Sequence, residues 1–119
     1  MNESIAQTWR DTAAEARRLV DAGRQPYAPI EQLSALYRQI SDDERTIADG
    51  LIALDLDSED SGVRYDAMWL IREFGIASAV PALRRLATHL ASSAEVGAPF
   101  ELDKVERLIR EITGAEPAR

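Results

Sequence analysis

From Ile5 to Ile112 the apolar residues of this chain recur at three- and four-residue spacing, without the strict alternation of a half-buried strand. That rhythm confines the fold to helices, because a strand packed on one face needs period two. Only Leu51–Leu56 imitates a strand, and its leucines continue a helical stripe.

Caps and breakers divide the rhythm into six segments. The first runs from Glu3 to Ala22 on Ile5, Trp9, Ala13, Ala16 and Val20, and Gly23 with Pro26 ends it. The second starts near Pro29 and carries Ile30, Leu33, Leu36, Tyr37 and Ile40. Ser41-Asp42-Asp43-Glu44 then has the form of a capping box. The third helix follows it, with Ile47, Leu51 and Leu54 on one line, Ala48 and Ile52 beside it, and Gly50 marking a close helix contact. The fourth spans Val63 to Phe74 on Val63, Ala67, Leu70, Ile71 and Phe74, and Gly75 stops it. A Ser78 cap opens the fifth, which carries Val80, Leu83, Leu86, Ala87 and Leu90. After a loop at Ala91–Pro99, the sixth carries Leu102, Val105, Leu108, Ile109 and Ile112, and residues 114–119 form a frayed tail. Loops this short predict antiparallel neighbours in a single helical domain over residues 1–119, with Leu70, Ile71, Phe74, Leu83 and Leu86 among the most buried side chains.

No cysteine occurs, which rules out disulfides and thiolate metal sites. The start, Met1-Asn2-Glu3-Ser4-Ile5, lacks the basic and apolar regions of a signal peptide. No apolar run approaches the roughly 20 residues of a spanning helix. The expectation is a soluble, cytoplasmic protein with no membrane partner.

Charge is unevenly spread. Between Ser41 and Asp66 nine acids (Asp42, Asp43, Glu44, Asp49, Asp55, Asp57, Glu59, Asp60 and Asp66) face only Arg45 and Arg64, so this segment holds the whole net charge of −7. Such a field repels phosphates and attracts basic surfaces, which disfavours nucleic acid and favours a basic protein partner. Solubilising loop and cap residues would leave the same trace.

The residues for chemistry are sparse. His89 is the sole histidine, and no nucleophile elbow, phosphate-binding glycine loop or dinucleotide fingerprint is present. Asp55-Leu56-Asp57-Ser58-Glu59-Asp60 imitates a calcium loop but lacks glycine at the sixth position and the bidentate glutamate at the twelfth. The basic pairs Arg17-Arg18 and Arg84-Arg85 read as solvated faces, although Arg84-Arg85 with Arg72 offers a small basic edge. The expectation is a non-enzyme with no cofactor and no metal.

Tyr65, Trp69 and Arg72 lie opposite the main stripe of the fourth helix. A helix apolar on two faces is either sandwiched between neighbours, the default inside a solenoid, or presents a contact surface. Trp, Tyr and Arg are the side chains enriched at interface hot spots. Trp9 faces the same choice and is expected in the core.

Asp60-Ser61-Gly62-Val63-Arg64, Ala67, Leu70 and Gly75, followed by Ala79-Val80-Pro81-Ala82-Leu83, resemble one HEAT repeat of the HEAT-like, lyase-type group over about residues 60–90. Val105–Gly114 resembles a degenerate following helix, 42 residues beyond Val63, within the roughly 40–47-residue period of such arrays. The resemblance implies an all-α short solenoid of about six helices in stacked antiparallel hairpins. It also implies that Arg64 joins a ladder of polar contacts between repeats, with Asp60, Asp57 or Asp55 as candidate partners, and so sets register instead of binding a ligand.

Together these readings point to a protein–protein interaction module, with Tyr65, Trp69, Arg72, Asp55, Asp57 and Glu59 as partner-binding residues. The alternatives are an immunity- or antitoxin-type protein that neutralises a basic effector, and an enzyme-associated or lyase-like subunit.

Overall fold

The computed structural model of the protein describes residues 2–114. They form six α-helices: α1 (Asn2–Asp21), α2 (Ala28–Gln39), α3 (Asp42–Asp55), α4 (Ser61–Phe74), α5 (Val80–Ala91) and α6 (Ala98–Thr113). A 3-10 turn at Ala77–Ala79 precedes α5. No strand occurs among the described residues, so the fold is all-α, as the periodicity requires. Of the expected frayed tail only Gly114 is described, and residues 115–119 lie outside the described residues. No helix among the described residues is long and apolar enough to cross a membrane.

The ends follow local chemistry. The Ser41 N–H donates to Glu44 Oε1 at 3.0 Å and the Glu44 N–H donates to Ser41 Oγ at 3.2 Å, the reciprocal pair of a capping box. Proline occupies the first turn of α2, α5 and α6, where its missing N–H has no helical partner to lose. Pro99 therefore opens α6 instead of closing the loop before it. Gly75 (φ 60°) takes the left-handed conformation after α4, and its N–H donates to the Ile71 carbonyl. The expected Ser78 cap is absent. Ala79 flanks α5 without a side-chain cap, because the 3-10 turn carries the chain into the helix.

The described chain divides into two compact units, and the boundary, between Leu51 and Ile52, falls inside α3. In the first unit α1 packs along α2. Trp9, 2% exposed, meets Tyr37 edge to face with ring centroids 6.4 Å apart, which places it in the core as expected. The Tyr37 hydroxyl donates to Asp49 Oδ1 at 2.9 Å. Arg45 donates to the Tyr37 and Arg38 carbonyls, satisfying acceptors that the end of α2 leaves open, and its guanidinium lies 5.3 Å from the Tyr37 ring centroid.

In the second unit α5 packs along α6, and α4 also meets α6. Leu70, Ile71, Leu83 and Leu86 are buried as expected, together with Val105 and Leu108 of α6. Full burial of each such side chain contributes about 1.5–3 kcal/mol. Phe74, also expected in the core, is only half-buried, at the last residue of its helix.

Of the two apolar lines of α3, the second turns inward. Ala48, Ile52 and then Leu56 are buried, whereas Ile47 and Leu51 are half-buried and Leu54 is 63% exposed. Gly50 marks no close contact, since a Cβ there would meet nothing within 4 Å.

Candidate functional site

Arg64 is a buried, fully engaged polar residue of α4. Its Nε donates to Glu101 Oε2 at 2.5 Å, its Nη2 to Glu101 Oε1 at 2.8 Å and its Nη1 to the Ser58 carbonyl at 2.7 Å. Both side chains are buried. Such a bidentate fork fixes position and direction together. The Glu101 hydrogen bonds hold the Arg64 guanidinium above its usual pKa against the opposing effect of burial.

The guanidinium's partner is therefore Glu101, which sequence reading missed, and not Asp60, Asp57 or Asp55. The Asp60 carboxylate instead accepts from the Gly62 N–H at 2.8 Å as the N-cap of α4. Because α3 ends at Asp55 and α4 starts at Ser61, residues 55–66 form no calcium-type loop.

A second ion pair joins Arg72 Nε to Glu111 Oε2 at 3.2 Å. Residue numbers rise together along the two pairs, 64 with 101 and 72 with 111, so α4 and α6 run parallel. Between the two pairs lies a groove of about 280 Å³. Tyr65, Met68, Trp69 and Arg72 line it from α4, and Lys104, Arg107, Leu108 and Glu111 from α6. Each wall is an i, i+3, i+4, i+7 set, the side chains that share one face of a helix. Met68 and Leu108 are buried, Tyr65 is half-buried, and Trp69 is 40% exposed. Burial, reinforced by the Glu101 carboxylate, pushes the Tyr65 phenol up.

The cations of this groove differ in their commitments. Arg72 is held by Glu111, and Arg107 by Asp103 at 3.0 Å. Lys104 has no ion-pair partner among the described residues.

Asp57 and Glu59 lie elsewhere. They line a wider cleft of about 770 Å³ with Arg85 and His89 of α5 and Glu95 of the following loop. Arg72 and Arg85 thus line different clefts. Both acids are exposed, whereas Asp55 is half-buried at the end of α3. Of the remaining acids, Glu44, Asp49 and Asp60 have structural partners and Asp42 approaches Arg45 at 3.5 Å.

The sequence reading found the α4 wall through its aromatic residues and missed the α6 wall. Its signal was present in the spacing of Lys104, Arg107, Leu108 and Glu111, but spacing does not say which helix comes alongside. No protein-family model, curated protein or solved structure matches the chain.

Proposed function

We propose that this chain is a non-catalytic protein-interaction module whose partner docks in the groove between α4 and α6. Trp69 carries the reading. It stands partly in water in a groove whose lining includes the buried Met68 and Leu108, in the middle of a helix face that also holds Tyr65 and Arg72. An indole in that position offers a large rigid contact area whose remaining exposure a partner can remove. The parallel course of α4 and α6, with α5 between them in the chain, supports HEAT-like layering as the scaffold. The compartment assigned by this reading is the cytoplasm, supported by the cysteine-free sequence.

The test is affinity capture from the native organism with wild-type, Trp69→Ala and Tyr65→Ala baits of equal stability. A protein retained by wild type and lost from both variants is the expected result. Retention by all three would move the contact surface elsewhere.

A second reading, neutralisation of a basic effector, is supported by the exposure of Asp57 and Glu59 on the wider cleft. It predicts steep salt sensitivity, because its attraction is carried by exposed charges.

A further inference from the structure

We infer that the α4–α6 groove recognises a peptide segment in which an apolar side chain is followed closely by a carboxylate; this rests on the interaction-module reading and names its ligand. Size speaks first. At about 280 Å³ the groove falls just below the roughly 300–1,000 Å³ of sites that enclose small-molecule ligands, so it takes a few side chains and not an engulfed cofactor.

Polarity then divides the groove. Met68 and Leu108 are buried apolar members of the lining and Trp69 is a partly exposed one, which together suit an aliphatic or aromatic side chain. The same lining holds three cations, two of which already hold acids: Arg72 with Glu111 and Arg107 with Asp103. Lys104 is the cation of this wall without an ion-pair partner among the described residues. A carboxylate arriving next to the indole therefore meets a donor that breaks no existing pair, whereas a basic side chain there is repelled by Lys104. A nucleic acid strand needs several open cations in a row, and this wall offers one.

The long-range field has the opposite sign. The chain carries −7 overall, so an acidic segment is repelled at a distance and attracted only on contact. Added salt screens the repulsion as well as the contact, and affinity for such a segment should vary little with ionic strength. That separates it from any basic ligand of this chain, whose affinity falls as salt rises.

The experiment is selection of a random displayed peptide library on the full chain, with Trp69→Ala and Lys104→Glu proteins as parallel targets. Both positions are exposed, and circular dichroism and melting curves check that the variants fold. Wild type should enrich peptides with an apolar residue within a few positions of Asp or Glu. A synthesised winner should bind each variant about tenfold more weakly, and its acid-to-lysine counterpart should recover binding on Lys104→Glu. Trp69-dependent peptides without an acid, or winners indifferent to Lys104→Glu, overturn the inference and leave the module reading standing. If no enrichment depends on Trp69, the module reading fails as well. A labelled oligothymidine that binds more tightly than any peptide, with the same Trp69 and Lys104 dependence, replaces the peptide by a nucleic acid and also overturns it.

Discussion

Arg64 and Glu101 share two charge-assisted hydrogen bonds where little water reaches either group, so removing one partner strands the other. A buried charge left alone costs about 3–5 kcal/mol, whereas replacing both partners by apolar residues of similar volume is often close to neutral. Arg64→Ala should therefore lower the free energy of unfolding by about that amount in urea titrations, and Arg64→Met with Glu101→Leu should lose far less. A loss below 1 kcal/mol in Arg64→Ala would show that water reaches the carboxylate. Arg64 itself is legible in the sequence, through the Asp-x-x-Val-Arg pattern. Its partner is not, because Glu101 lies 37 residues away and reads as an ordinary acid in the first turn of α6. Tyr37 offers a pH test of the same kind. Burial and its bond to Asp49 raise its phenol from 10.0 to about 12. The folded state thus holds this proton more tightly than the unfolded state. The stability it contributes is complete below pH 10 and declines as pH rises toward 12. The stability difference between wild type and Tyr37→Phe should shrink across that window, and a constant difference would mean that neither burial nor the Asp49 bond raises the phenol in the folded protein.

At the scale of the helix, α3 separates what spacing can determine from what it cannot. Its start is written in the sequence, since Ser41 and Glu44 supply both halves of a reciprocal cap. Its orientation is not, because Ile47-Leu51-Leu54 and Ala48-Ile52 are both acceptable helical lines. The first line carries more large residues, yet the structure buries the second. Side-chain size shows how much a face could bury, but the neighbouring elements decide which face turns inward. Gly50 was misread for the same reason: it is exposed, and space is open around its missing Cβ. Its backbone is helical, so alanine removes unfolded-state freedom without creating a clash. Gly50→Ala should raise stability by roughly 0.8–1 kcal/mol in thermal or urea unfolding. Destabilisation would mean that this face of α3 is covered in the folded protein.

Over the whole molecule, the concentration of negative charge between residues 41 and 66 resolves into acids with structural work and acids without it. Glu44 and Asp60 hold helix starts and Asp49 holds Tyr37, so much of what looked like a steering field has a local cause. Asp57 and Glu59 are the exposed pair that share the wider cleft. Asp55, named with them as a partner-binding residue, is half-buried and a poorer site for such a test. Asp57 follows the C-terminus of α3, where a negative charge opposes the helix dipole, while Glu59 precedes α4, where it is favoured. Their effects on stability should nearly cancel, and Asp57→Asn with Glu59→Gln should stay within about 0.5 kcal/mol of wild type. If the pair steers a basic ligand, association of a labelled decalysine peptide should slow in this variant at low salt. The gap should close as the Debye length shortens to about 8 Å near physiological ionic strength. The control is Glu31→Gln with Glu106→Gln, which removes two exposed acids from outside the segment and leaves the same net charge. Greater slowing by the Asp57 and Glu59 pair than by the control is the expected result if position matters. Equal slowing would assign the attraction to net charge alone, and these acids would then serve solubility.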